Sequence, residues 1–459
     1  MFDGVVKRAQ RMADCLNDVL DNRRIKIAPP ILLTYFCLVF ALIGSGLLML
    51  PVAQNSPISF SDALFTSVAA LTVGGLTVID LGSDLSFLGQ ATVLALVQLG
   101  GLGLMTFATL VLVVLGLPVG INQKVFLHGD LGQTSFNELL SLVRIIAVVV
   151  LGCEAVGTLF LCFVTVPEAG FWLGFWQALF VAVTAFNNAG LTLYPDSLVR
   201  FATSPLMNLT VPLLSILGGI GFGVLWEVGA KGRFSVLSLH SKIMLVGTAS
   251  LLLSGLVLVC ALEWSNPKTL GALGSSWDKL MVGWFQAVTP RTAGFSTYDT
   301  AEQTTPTAMV TMLLMFIGGG ATSTAGGIKV TTFAVLLMAV YAFFTRAPNM
   351  HAFGRDIGFS EALSAMTLVT LSAAIVIVAV FLLGLVSDEG FLQLSFDTLS
   401  AFGTVGVSMG ATEEQGFLGR LVLMSVMFIG RVGPLFLAFT LANPKTSRIR
   451  YPEKRIFLG

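Results

Sequence analysis

The sequence predicts an all-α polytopic membrane protein: four related helix, half-helix, glycine-ended segment and helix units arranged around one central pore, with eight transmembrane helices. Three observations lead there. Of 459 residues 55% are apolar and only 11% are charged, whereas ordinary soluble domains carry roughly 25% charged residues. Long apolar runs alternate with short ones, and a glycine-ended segment recurs four times along the chain. The formal net charge is zero, so no basic face exists to hold nucleic acid. Cys15, Cys37, Cys153, Cys162 and Cys260 show no paired spacing, and His128, His240 and His351 lie too far apart to suggest a metal centre.

A spanning helix needs about 20 apolar residues, while a run of roughly 10 to 14 reads as a re-entrant segment. Residues 1–30 form a cytoplasmic segment bearing Lys7, Arg8, Arg11, Arg23, Arg24 and Lys26, and the apolar run after it is too long for a secretory signal. The first unit, 31–116, has long runs at 31–51 and 91–115 around a short one at 60–73. In the second, 141–230, the runs 143–165 and 207–229 flank 172–186. The third, 241–345, sets 276–289 between 243–263 and 306–344, and the fourth, 360–442, sets 392–403 between 363–386 and 418–441. Residues 443–459 are a cytoplasmic tail. With both termini inside, Lys124, Arg144, Lys231, Arg233, Lys242, Arg346 and Arg355 also fall on the cytoplasmic side, against Arg200, Lys268, Lys279 and Arg420 outside. The positive-inside rule selects that orientation.

The repeat carries the functional signal. The short runs end in LTVGGL, NNAGL, RTAGF and TVGV, whose last glycines are Gly75, Gly190, Gly294 and Gly406, spaced by 115, 104 and 112 residues. Ten positions earlier stands an aromatic each time: Phe65, Phe180, Trp284 and Phe396. Between 24 and 28 residues later comes a glycine step, at Gly100, Gly218, Gly318 and Gly430. A helix that stops partway across a bilayer leaves its last carbonyls unpaired, which hydrocarbon tolerates only where they line a polar cavity. Four such ends, with their helix dipoles, can replace the water shell of a monovalent cation. The expected lining is Val73, Gly74 and Gly75; Asn188, Ala189 and Gly190; Thr292, Ala293 and Gly294; and Thr404, Val405 and Gly406, in extended glycine-ended strands without carboxylates.

These four segments, with GGGATSTAGGIK at 318–329 and GRVGP at 430–434, resemble the Trk/Ktr/HKT potassium transporter superfamily, most closely its Ktr-type membrane subunit. The resemblance spans roughly residues 31–441, and the chain lacks the extra N-terminal helix pair of the Trk-type branch. It implies potassium as the substrate, one pore per chain, a homodimer in the cell membrane, and a cytoplasmic nucleotide-binding regulatory ring whose nucleotide sits on that partner. It implies no covalent cofactor, and leaves open sodium coupling or activation. In relatives a serine at the first filter glycine is linked to sodium permeation, and Gly75 fills that place here.

Gly318, Gly319, Gly320, Thr322, Ser323, Thr324, Gly326, Gly327 and Lys329 interrupt an otherwise apolar helix, and so many small residues cannot remain regular. The expectation is an intramembrane loop that gates the pore; the competing account is a kink for close helix packing. Lys329 does not complete a phosphate-binding loop, because Ile328 separates it from Gly327. Arg431 stands where other units have Gly101, Gly219 and Gly319, as a pore cation that also holds the loop, or as the ion-pair partner of a buried acid such as Glu154 or Glu227, two roles that can coexist. Arg291 is expected to brace the third segment from behind. Asn187 and Asn188 either orient the second segment or simply form its turn. Asp62 and Asp397 are expected to cap their short helices. Gly406, Ser408 and Gly410 match the nucleophile elbow of hydrolases, but every histidine falls on the other side of the membrane, so the match is read as chance. An enzyme is not expected. A secondary transporter of another small solute remains the alternative, although inverted repeats would be expected of it.

Overall fold

The computed structural model describes residues 29–101 and 136–433, apart from Thr322 and Pro348. The basic N-terminal stretch to residue 28, the tail 443–459, and the far ends of the runs 91–115 and 418–441 therefore lie outside the described residues. The fold is mostly helical. In chain order come α1 (Pro29–Leu48), α2 (Phe60–Thr72) and α3 (Phe87–Gly101), then α4 (Phe136–Ala169), α5 (Phe171–Phe186), α6 (Pro205–Ile220) and α7 (Phe222–Lys231). There follow α8 (Leu239–Glu263), α9 (Ser276–Val288), α10 (Thr305–Phe316) and α11 (Val330–Thr345), and last α12 (Phe359–Val386), α13 (Phe391–Gly403) and α14 (Phe417–Val432). Three short helices pack between their long neighbours, α2 against α1 and α3, α5 against α4 and α6, and α13 against α12 and α14, while α9 packs against α8 and α6.

Among the described residues Ile146–Ala169 of α4, all of α8 and all of α12 are long and apolar enough to cross a membrane singly. One expected span is broken, and another is interrupted where the sequence predicts a loop. The run 207–229 splits at Gly221, which takes φ +104°, and α6 and α7 meet at a 96° bend. The run 306–344 stops at Phe316 and resumes at Val330, leaving the glycine-rich stretch as a loop. The sequence also gave no warning of a small hairpin, β1 (Met350–Ala352) with β2 (Arg355–Ile357), so the described fold is not wholly α. Phe353 and Gly354 turn it with φ of 50° and 75°, the paired left-handed geometry of a tight hairpin that usually recruits Asn-Gly.

Polarity is distributed inside out. Leu253, Phe381 and Leu385 point outward, 64–66% exposed, while Thr66, Thr184, Asn188, Thr292 and Thr404 are wholly buried. Water would penalise that outer surface, but lipid does not. Local signals set the short helices: Ser59 and Asp62 form a capping box on α2, and Ser275 caps α9. As expected, Asp62 serves its helix start. Burial alone would raise its pKa, but bonds from the Ser59 hydroxyl and amide and the charge of Arg420 outweigh that and hold it below the ordinary carboxylate value.

The recurrent glycine step has a steric cause. A Cβ on Gly100, Gly218 or Gly430 would lie 2.0, 1.9 and 1.9 Å from the carbonyl oxygens of Leu71, Phe186 and Phe402. Those three residues each stand four positions before a repeat glycine. The long helix thus rests directly on the end of its own short helix. Gly430→Ala forces the two apart and is expected to destabilise the fold by about 1–3 kcal/mol, read as a lower melting temperature in detergent. The third unit departs from the pattern, since Gly318 abuts Gly326 of the loop instead.

Candidate functional site

Each of α2, α5, α9 and α13 ends in the same reversal of hand. Val73, Asn188, Thr292 and Thr404 take φ of 58°, 59°, 69° and 51°, and two residues later Gly75, Gly190, Gly294 and Gly406 take 73°, 64°, 78° and 98°. The expected extended strands are therefore corrected to turns of alternating hand. In three of them the amide after the first left-handed residue bonds five residues back: Gly74 to Ala69 (2.7 Å), Ala189 to Thr184 (2.7 Å) and Val405 to Ser400 (2.8 Å). This is a Schellman closure, whose left-handed position is ordinarily glycine. Holding valine or threonine there costs about 1–2 kcal/mol each, and asparagine less, and such strain concentrates at functional sites. The third end passes instead through a π-turn, Thr289–Ala293, where the five-residue bond runs from Gly294 to Thr289 at 3.4 Å.

The four turns meet. A Cβ on Gly75 would touch the Ala189 carbonyl oxygen (2.5 Å) and Gly406 Cα (2.7 Å), one on Gly190 would touch Gly294 Cα (2.6 Å), and one on Gly294 would lie 2.1 Å from the Val405 carbonyl oxygen. The Gly74 carbonyl in turn lies 3.2 Å from the Cβ position of Gly406. The contacts run from the first segment to the second, third and fourth and back to the first. Val73, Asn188, Thr292 and Thr404 are all fully buried beneath this closure.

Side chains brace the turns from behind. The Asn187 amide donates to Gln98 Oε1 (2.8 Å), Glu154 Oε1 (3.0 Å) and the Val183 carbonyl (2.9 Å), so it orients the second segment as well as turning it. Thr289 donates to the Phe295 carbonyl (2.7 Å), and Ser400 accepts from the Gly406 amide (3.1 Å). Phe65, Phe180 and Phe396 are fully buried packing, while Trp284 is half-buried. Asp397 overturns its expected role. It lies in the middle of α13, 1% exposed, and caps no helix start. Its carboxylate accepts from the Ser408 hydroxyl (2.6 Å), the Met409 amide (2.8 Å), and the Thr412 amide and hydroxyl (2.7 and 2.6 Å). Ser408, the apparent nucleophile, is thereby a tether for the chain leaving the fourth turn. Asp397→Asn places a donor against these donors, and is expected to weaken cation affinity about tenfold, measured as the half-saturating concentration for uptake.

Below the turns lies the loop. Its ends are laced together by Gly318 N to Ile328 O (2.8 Å) and Val330 N to Gly319 O (3.0 Å). It is sewn to its surroundings by Gly320 N to Gly219 O (2.8 Å), Thr324 N to Gly218 O (3.2 Å) and Gly327 N to Gly430 O (3.2 Å). Ser323 closes it locally on the Gly320 carbonyl at 2.8 Å, Lys329 Nζ reaches the Ala325 carbonyl at 2.7 Å, and Thr322 lies outside the described residues. Arg431 donates to the carbonyls of Thr324 and Gly100. The ion pair with Glu154 or Glu227 is not formed: Glu154 is taken by Asn187 and Gln98, and Glu227 by Lys231, Ser238 and Ser241. Arg291 donates to the carbonyls of Thr248 (3.2 Å) and Gly318 (3.1 Å), bracing the third segment and gripping the loop together. Among the described residues no group of His, Cys, Asp or Glu side chains could hold a metal ion.

Residues 24–449 match the family model TrkH, a cation transport protein. The chain is 41% identical over 435 residues to Ktr system potassium uptake protein B of Bacillus subtilis, covering 95% of this chain and 98% of that one. It is 40% identical to the protein of the same name from Vibrio alginolyticus, over 90% and 91% of the two chains. It is 34% identical to potassium/sodium uptake protein NtpJ of Enterococcus hirae, over 95% and 98%. The crystal structure of the potassium transporter TrkH from Vibrio parahaemolyticus superposes with a TM-score of 0.71 at 20% identity, over 91% of this chain and 86% of that one. That last likeness concerns the fold.

Proposed function

Because the chain belongs to the TrkH family of cation transport proteins, we propose that it takes potassium into the cell through a single pore lined by the carbonyl oxygens of its four turns. The observation that carries this reading is the meeting of Gly75, Gly190, Gly294 and Gly406 just beyond the ends of the four short helices, with the Gly74, Ala189 and Val405 carbonyls in the contacts between them. Cations are favoured where backbone oxygens and the negative ends of helices converge in a water-poor space. Four units at 31–116, 141–230, 241–345 and 360–442 contribute eight spanning helices, with both termini in the cytoplasm. The filter comprises Val73–Gly75, Asn188–Gly190, Thr292–Gly294 and Thr404–Gly406. Gly318 to Lys329 and Arg431 form the gate beneath it, closed in the arrangement described here. Two chains pair in the cell membrane, and a cytoplasmic nucleotide-binding ring of the Ktr type regulates them. Glycine at position 75 favours potassium over sodium, although sodium activation is compatible with a relative whose name pairs the two ions.

Expression in a cell strain without its own potassium transporters tests the reading. The expected result is restored growth and uptake at low external potassium. Uptake of an organic solute without potassium uptake would sink it.

A further inference from the structure

Thr324 uses every polar atom it has, and it uses them on three helices and on the turn that follows one of them. Its amide donates to Gly218 of α6, and its carbonyl accepts from Arg431 of α14. Its hydroxyl donates to the Phe186 carbonyl at the end of α5 (3.3 Å) and accepts from the Asn188 side-chain amide (2.9 Å). The residue is completely buried. The loop therefore does more than stand beneath the four turns: through Thr324 it is bonded to the first residue of the second one.

Two further contacts follow the same pattern. Arg291, immediately before the third turn, holds the Gly318 carbonyl at 3.1 Å. Gly326 packs so tightly on the fourth that a Cβ there would lie 2.3 Å from Thr404 Oγ1. Three of the four inner ends are thus in contact with the loop. The Asn188 side chain has Thr324 as its sole hydrogen-bond partner among the described residues. Once the loop leaves, its amide is released at the inner mouth of the filter.

From this we propose that Thr324 is a positioning residue through which the gate sets the shape of the filter, so that discrimination between potassium and sodium depends on where the loop lies. The inference rests on the filter and gate assigned above. Selectivity is a small difference between two binding free energies, and it depends on the placement of a few oxygens. Loss of one buried bond that fixes such a residue is therefore enough to shift the ratio by about fivefold.

Thr324→Val tests it, because valine keeps the shape, the amide and the carbonyl that Arg431 holds, and removes only the hydroxyl. Potassium and sodium uptake are measured in cells expressing the full chain, beside Thr324→Ser. The expected result is a potassium-to-sodium ratio lowered about fivefold in the valine chain and restored by serine. An unchanged ratio in the valine chain overturns the proposal, whatever happens to the total flux. So does a serine chain no better than valine, which would make the methyl group the cause. If the valine chain does not reach the membrane, Thr324→Ala is measured in its place and the same results decide. Absence of potassium uptake by the unsubstituted chain is a different failure, that of the transport reading itself.

Discussion

Gly294→Ser is expected to lower potassium affinity by at least about thirtyfold and to erode discrimination against sodium. Gly294 holds φ at +78°, where an L-residue is strained, and its Cβ would lie 2.1 Å from the Val405 carbonyl oxygen and 2.7 Å from Gly190 Cα. Strain and contact add, and neither can relax locally, because the atoms struck are backbone of the two adjoining turns. Serine therefore displaces a carbonyl proposed to bind the ion. The measurement is the concentration dependence of potassium uptake with and without competing sodium. Kinetics unchanged by the substitution would remove position 294 from the ion path.

Excision of residues 319–326 is expected to raise potassium flux about tenfold or more. The structure gives a reason to expect a folded product. The Cβ position of Gly318 already lies 3.6 Å from Gly327 Cα, and Ile317 pairs with Ile328 across the base of the loop. Joining Gly318 to Gly327 removes the tip while leaving α10 and α11 close to their present positions, because consecutive Cα atoms need only about 3.8 Å. What disappears is Thr324 with its ties to Gly218, Phe186, Asn188 and Arg431, and so the gate proposed below the turns. A well-folded product with no flux would favour the account in which the glycines serve helix packing. Maximal uptake per copy of protein in the membrane distinguishes the two.

Much of this was legible in the sequence, and the boundary between what was and was not is physical. The repeat glycines could be found by counting, because a left-handed turn and a close backbone approach both demand glycine at fixed positions. Gly100, Gly218 and Gly430 were visible for the same reason, although their role, resting on the carbonyls of Leu71, Phe186 and Phe402, required coordinates. The loop announced itself by composition. The left-handed residues Val73, Thr292 and Thr404 were invisible as such, since nothing about valine or threonine advertises positive φ; tertiary packing imposes it, whereas Asn188 at least read as a turn former. Asp397 was misplaced because an acid in a short helix reads as a cap. Its position in the middle of α13, with Ser408 and Thr412 downstream, was the clue that it serves the chain beyond. The Gln98, Glu154 and Asn187 cluster joins residues 33 to 89 positions apart, and no local pattern connects them. The bend at Gly221 was hidden in a continuous apolar run, where hydropathy carries no information about direction.

The central claim is that main-chain oxygens of the four turns bind potassium on a common axis. Crystals grown in rubidium or thallium, which substitute for potassium and scatter anomalously, test this most directly. The expected result is an anomalous peak enclosed by the carbonyl oxygens of Gly74, Ala189, Ala293 and Val405. A map with that space empty and the heavy cation bound elsewhere would contradict it.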